Sequence, residues 1–346
     1  MSSKIKTFSK YLITLIIGVG LLWYFLSQQK PEDLQQAKNA FIIADYYWLG
    51  LTVLISIIEK GFRAQRWNLL LEPVGYKPPL KNTIIAVMIA YFANVFAPRM
   101  GEVARCGILN RTDKVPIATS FGTVVAERAI DFICLLILIA ASLLFEYEKI
   151  IELLTNTFGG KIGGIKSAVL NNSWILIILI LILIIAVTLL YRKRERIMKI
   201  GFFQKIKEFG FSVLAGLLSV LKLKRRGEFI LYTVLIWTSY FLMTYLAFFS
   251  LPATAGLGLS AALVILVVGG LGMAAPVQAG IGAFHFFIQK TLFEVYHIEK
   301  GAGLSYAFLV HTSQTATMLV TGLICFIISI NIGKRANLEI QNANIG

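Results

Sequence analysis

Charge is what this sequence has least of. Asp, Glu, Lys and Arg make up only 15% of the 346 residues, where soluble domains carry about 25%. With 57% hydrophobic residues gathered in long blocks, that shortage excludes a soluble globular domain. Cysteine is nearly absent. Cys106, Cys134 and Cys325 are isolated and form no C-x-x-C pair, so they read as packing residues and not as a disulfide framework or a zinc site. The three histidines, His285, His297 and His311, lack metal-ligand spacing, and neither a metal nor a cofactor is expected. Acidic residues are outnumbered 18 to 33 by Lys and Arg, giving a net charge of +15. The basic residues sit between apolar blocks, and no basic stretch is interleaved with aromatics. They therefore point to membrane topology and anionic lipid, with no nucleic-acid partner.

What the sequence does have is long apolar runs, roughly 11–27, 41–58, 83–97, 117–145, 173–191, 229–251, 260–275, 281–297 and 303–331. Ile175 to Leu190 holds one hydroxyl residue, Thr188, and no charge. Blocks of this length read as membrane helices. The N-terminal run follows Lys4, Lys6 and Lys10 and precedes no small-x-small cleavage site, so it reads as an uncleaved first helix. The gaps 59–82 and 192–228 and the tail are basic; 192–228 alone carries eleven Lys and Arg. By the positive-inside rule both termini are cytoplasmic. The expectation is one integral membrane domain over 1–332 with a short cytoplasmic tail, 333–346, in a bacterial inner membrane.

The crossing count makes segment 83–97 anomalous. It lies between two basic gaps, 59–82 and 98–116, and is too short to span. A re-entrant element from the cytoplasmic side satisfies both flanks. Segments 260–275 and 281–297 make a matching hairpin from the outer side, although three full crossings at the end of the chain meet the same parity. Residues 97–101 read A-P-R-M-G and 275–280 read A-P-V-Q-A-G. This is either an inverted repeat, which in transporters places a binding site between broken helices, or a chance recurrence. The fold class expected is all-α: a polytopic membrane helix bundle with two re-entrant or broken elements. The stretch from Ile197 to Val213 has helical apolar spacing and reads as an amphipathic surface helix or a solvated loop; 146–172 reads as a glycine-rich external loop.

The chemistry concentrates in Asn94 to Asp131. N-V-F-A-P-R-M-G-E-V-A-R supplies Asn94, Pro98, Arg99, Gly101, Glu102 and Arg105. Proline breaks a helix, and glycine allows close backbone approach. A new helix opening there would offer free amides beside two arginines, which suits an anion; the alternative is cytoplasmic charges paired with Glu102. Glu127, Arg128 and Asp131 then interrupt an apolar run. Each would cost about 2.5–3.5 kcal/mol at the bilayer centre, so they face the bundle interior or an interface. There they serve as an interhelical ion-pair lock, a binding site, or both. The second break offers Pro276, Gln278, Gly280, Gly282 and His285 as shaping and lining residues.

At these residues the chain resembles the lysylphosphatidylglycerol synthase transmembrane-region family, also described as flippase-like proteins. N-x-x-x-P-R-x-G-E-x-x-R, then E-R-x-x-D, then P-x-x-x-G-x-G carry the resemblance, which spans about 40–330. It implies lipid handling without a catalytic domain: a flippase or lipid-transport protein for an anionic phospholipid or lipid-linked headgroup. Asn94, Arg99, Glu102, Arg105, Glu127, Arg128, Asp131, Gln278 and His285 would line its path. Pro98, Gly101, Pro276, Gly280 and Gly282 would shape it. The bifunctional members carry an aminoacyltransferase domain after the membrane domain, and this chain is not expected to make lysyl-lipid itself. An intramembrane enzyme using a lipid-linked donor, a scaffold for envelope-lipid enzymes and a small-solute transporter are the rivals. The partners expected are membrane lipids, a second copy of the chain or such enzymes.

Overall fold

The structure, a computed structural model, describes residues 22–97, 99–147, 223–275 and 277–343, with Ile16, Val19 and Gly20 before them; side chains are described to Ile330. Pro98, Pro276, the segment 173–191, the stretch from Ile197 to Val213, the loop beyond Tyr147 and most of the first span lie outside the described residues. The described residues run as helices joined by short turns: α1 (Pro31–Ile43), α2 (Tyr46–Leu71), α3 (Leu80–Phe96), α4 (Met100–Asp113), α5 (Ile117–Phe145), α6 (Arg226–Phe248), α7 (Leu259–Ala274), α8 (Ala283–Tyr296) and α9 (Lys300–Ala343). Proline sets several starts. Pro31 opens α1, and Pro79 and Pro116 cap α3 and α5, positions where a missing donor costs nothing. Asp45 caps α2 by accepting the Tyr47 amide at 3.0 Å.

Three described helices are long and apolar enough to cross a membrane: α5, α6 and the Lys300–Ile330 part of α9. A bent pair, α1 with Tyr46–Val74, turns by 80° at a break of a few residues and adds a fourth candidate. The chain is thus a multi-pass helical membrane bundle. Four helices are shorter. α3 and α4 have 17 and 14 residues, α7 and α8 have 16 and 14, or about 21–25 Å each against a hydrocarbon core of about 30 Å.

These four form two hairpins. In the first, the Gly101 amide donates to Asn94 Oδ1 at 2.7 Å near the closed end, and Asn82 donates to Asp113 at 3.0 Å at the open end. The arms therefore run antiparallel. In the second, a Cβ on Gly272 would lie 2.9 Å from Phe284 Cα, so only glycine lets α7 and α8 meet there. The open end of the first hairpin packs on the end of α2, where Thr83 donates to Asn68 at 2.7 Å. The open end of the second packs with the start of α2, in an apolar cluster joining Leu257, Tyr296 and Ile298 to Leu49 and Leu251. The hairpins thus enter from opposite ends. Their tips meet, with Gln278 Nε2 donating to the Phe96 carbonyl at 3.5 Å.

The two halves repeat one plan. α2 to α5 and α6 to α9 each run long helix, two short arms, long helix. α2 and α6 lie antiparallel: Trp48 packs on Phe249 and Phe62 on Tyr232. Both second arms end alike, with a left-handed Lys114 or His297 and the next amide bonding six residues back, Val115 to Leu109 and Ile298 to Leu292. Those pairs are 183 residues apart in each case.

Two expected boundaries fail. Residues 59–71 are not a polar gap but the second half of α2, and most of 98–116 is α4, the returning arm of the hairpin. Both were basic enough to read as loop. In the structure their charges are paired inside the bundle or line its end. The 333–346 tail begins as helix, since α9 continues to Ala343.

Gly101 and Gly107 share α4 but not surroundings. A Cβ at Gly101 would stand 2.8 Å from the Ala90 carbonyl carbon, whereas nothing lies within 4 Å at Gly107. Gly101→Ala should destabilise by about 1–3 kcal/mol and Gly107→Ala should stabilise by up to about 1 kcal/mol, read as opposite shifts of thermal midpoint in detergent.

Candidate functional site

α2 places Glu59, Arg63 and Arg66 on one stripe by their i, i+4, i+7 spacing, and that stripe faces α5 and α6. Near the middle of α5, Glu127 and Asp131 share a face one turn apart. α4 brings Arg105 in from its second turn. Glu127 is completely buried and touches four guanidinium groups: Arg63 at 2.7 Å, Arg128 at 2.8 Å, Arg105 at 2.9 Å and Arg66 at 3.4 Å. Asp131 takes Arg66 at 2.7 Å, Arg63 at 3.0 Å and Arg128 at 3.3 Å. Glu59 takes Lys60 at 2.5 Å and Arg63 at 3.2 Å and accepts from the Tyr240 hydroxyl at 2.9 Å. Arg63 Nη2 donates to that same hydroxyl at 2.6 Å, which ties α6 into the cluster.

Aromatic faces back the cations. Arg105 lies 4.5 Å over the Trp67 ring and Lys60 lies 4.2 Å over Tyr91. Trp67 is held by its indole N–H donating to Thr123 at 2.9 Å. The cluster is interior except at Arg128, whose side chain is 45% exposed and marks its mouth.

The balance of charge is uneven. Lys60, Arg63, Arg66, Arg105 and Arg128 face Glu59, Glu127 and Asp131, five cations against three carboxylates. Two donors are buried with no partner, Arg66 Nε and Arg105 Nη2. Glu102 is not paired with any of these cations, and its Oε2 is buried without a partner; counting it still leaves a surplus of one. Buried charges are ordinarily paired, and an unpaired one costs several kcal/mol. An anion with several acceptor oxygens would complete the set.

The residues expected from the sequence divide into three groups. Arg105, Glu127, Arg128 and Asp131 come together. Arg99 does not join them; it sits exposed at the first hairpin tip in a left-handed conformation (φ 63°). Asn94 holds that tip closed through Gly101, and Gln278 bridges to it from the second hairpin. Gly280 and Gly282 have φ of 69° and 82°, which glycine alone adopts freely. His285 lies apart, its ring tilted against that of His311 with centroids 4.7 Å apart. Sequence reasoning missed Glu59, Lys60, Arg63, Arg66 and Tyr240. The α2 stripe was visible as i, i+4, i+7 spacing; Tyr240 carried no signal. Beyond the end of α2, outside this cluster, the Lys77 ammonium lies 2.9 Å from the Glu72 carboxylate.

The model of the family described as lysylphosphatidylglycerol synthase TM region matches residues 11–322. A UPF0104 membrane protein of Pyrococcus horikoshii is 25% identical over 316 residues, 87% of this chain and 91% of that protein. A UPF0104 membrane protein of Methanocaldococcus jannaschii is 25% identical over 121 residues, so the match spans only 36% of that relative and 34% of this chain. No solved structure matches.

Glu127→Gln would leave four arginines around an uncharged amide. It should cost about 3–5 kcal/mol. Glu228→Gln, at an exposed pair with Arg225, should cost no more than about 1 kcal/mol. Unfolding of both variants in detergent compares them, and equal losses would refute the central role given to Glu127.

Proposed function

Because the chain belongs to the lysylphosphatidylglycerol synthase transmembrane-region family, we propose that it is a lipid-transport protein of the flippase type, moving an anionic lipid headgroup between leaflets without chemistry of its own. The observation that carries this reading is the positive surplus of the buried cluster, with two guanidinium nitrogens left without partners at membrane depth. A phosphate-bearing headgroup supplies the missing charge and acceptor oxygens. Arg128, half-exposed, makes first contact; Arg105 and Arg66 receive the oxygens; Glu127 and Asp131 hold the guanidinium groups in place before the ligand arrives.

An apolar groove runs beside the cluster between α5 and α6. It is about 420 Å³ and is lined by Cys134, Ile137, Leu138, Val234, Trp237 and Phe241. Thr233, which also lines it, meets Arg66 Nη1 at 3.5 Å. Apolar wall and cationic end stand in the order of a lipid's acyl chain and headgroup.

The hairpins support the path. In this reading they are re-entrant, and their touching tips leave a short barrier between two sides, as in inverted-repeat transporters. Lys77, Lys81, Arg111, Lys114 and Arg225 gather at the open end of the first hairpin, where Arg225 reaches Glu72 at 4.0 Å. By the positive-inside rule we place that end, and both termini, in the cytoplasm of a prokaryotic cell.

Arg128→Gln should keep the fold, because its side chain is half in solvent, and lower transfer of fluorescent anionic lipid across liposomes at least about tenfold, the equivalent of one charge-assisted bond. Arg128→Lys should recover part of it. Unchanged transfer in Arg128→Gln would sink the assignment. Turnover of a labelled lipid-linked donor by the purified protein would favour an enzyme instead.

A further inference from the structure

The same plan in both halves puts matched positions on opposite sides of the hairpin tips. The 183-residue offset that relates Leu109 to Leu292 also relates Glu102 to His285, Arg128 to His311 and Asp131 to Gln314. Glu102 and His285 are each the third residue of a second arm; Arg128 and His311 are each the twelfth of the long helix that follows. Where one half carries fixed charge, the other carries imidazoles.

The second site is built but incomplete. His285 is 2% exposed, and neither of its ring nitrogens has a partner. A neutral imidazole offers one donor and one acceptor, so two buried unmet groups need an explanation. Phe308 packs on its ring at 4.3 Å, and His311 at 4.7 Å. His311 Nε2 lies 2.7 Å from the Ala279 carbonyl. A carbonyl only accepts, so that nitrogen bears the hydrogen and Nδ1 is the open one. Ala279 is itself left-handed (φ 48°) in the second break, so the pair adjoins the tip that meets the first hairpin.

We propose that His285 and His311 form a proton-binding site at the tip of the second hairpin, and that the protonated pair is a second landing place for the anionic headgroup held by the arginine cluster. The proposal rests on the headgroup reading above. One proton taken up by the pair turns an acceptor nitrogen into an N–H donor and adds one positive charge. A phosphate oxygen then has a donor and a counter-charge on this side of the tips too. Among the described residues, no carboxylate pairs with either imidazole, and Arg99 at the first hairpin tip is exposed. α7 and the break 277–282 have no titratable residue. On α8, Lys290 lies over Phe286 and Glu294 is two turns further on. On α9, the Tyr306 hydroxyl donates to Thr244, and Lys300 lies over Phe293. Glu32 and Lys38 of α1 and the preceding Tyr24 are exposed, and Asp33, half-buried, lies against Gly301 near the start of α9. The pair takes up its proton together with the anion, whose charge offsets the cost of a buried imidazolium, so a lower pH favours the bound state.

The test uses the full chain in uncharged detergent and dioctanoylphosphatidylglycerol, a phosphodiester of constant charge over this range. Binding is measured by calorimetry at about pH 5.5 and about pH 7.5, with the histidine ring signals followed by NMR. The expected result is binding several-fold tighter at the lower pH and a shift of the His285 and His311 signals to the imidazolium form. His285→Gln and His311→Gln should each remove the gain at low pH. A gain that survives both substitutions, or ring signals that stay neutral with lipid bound at low pH, would overturn the proposal. Binding absent at both pH values would instead count against the headgroup reading, and the second landing place would fall with it. Ring signals that titrate even then would keep the proton site alone.

Discussion

Glu127 holds the described bundle together at its centre. One buried carboxylate receives guanidinium groups from α2, α4 and α5, and through Arg63 the Tyr240 hydroxyl brings in α6. With Asp131, Glu127 offsets the mutual repulsion of the four arginines gathered round it. The same contact helps to position the first hairpin, because Arg105, with the buried Cys106 and Leu109, joins its second arm to the interior. The mouth follows too: Arg128 is drawn to Glu127 and Asp131 yet remains half in solvent, so the cluster is reachable from one side.

Around that centre the architecture is paired. Two hairpins of half-length helices approach from opposite ends and touch at Phe96 and Gln278. Each is closed by glycine where side chains have no room, Gly101 against Ala90 in the first and Gly272 against Phe284 in the second. The long helices cross between halves. Phe92 of α3 stacks on Phe326 of α9, and Gly270 of α7 meets Leu135 of α5. Such exchange makes neither half a separate unit.

Much of this was legible in the sequence, and the failures have a single physical source. Apolar runs gave α5 to within a residue, the second hairpin to within a few and the first arm of the first hairpin likewise, because a lipid-facing helix must be apolar along its whole length; the returning arm α4 was read as a basic gap. The Asn94–Arg105 motif located the first break, and Glu127–Asp131 located the charged interior. Glu59 to Arg66 was read as a cytoplasmic gap because charge was counted along the chain, when its spacing around a helix was the informative quantity. Four charges at 59, 60, 63 and 66 have three on one stripe, and a stripe of charge on a helix inside a bundle implies partners on its neighbours. Arg99 was grouped with Arg105 by proximity in sequence, but a helix start separates them, leaving one exposed and the other buried. The histidine pair could not be foreseen from spacing, since its members lie on different helices.

The bond from His311 to the Ala279 carbonyl limits what the pair can do with a proton. An imidazole conducts protons as a wire when one nitrogen takes a proton while the other releases one. Here Nε2 is committed to a carbonyl, which has no hydrogen to give and, in neutral form, no capacity to keep one. A proton that arrives at Nδ1 must leave from Nδ1. His311 can therefore hold a proton on Nδ1 but cannot pass it through its own ring, so any relay across the second hairpin tip would have to run through His285, both of whose nitrogens are free.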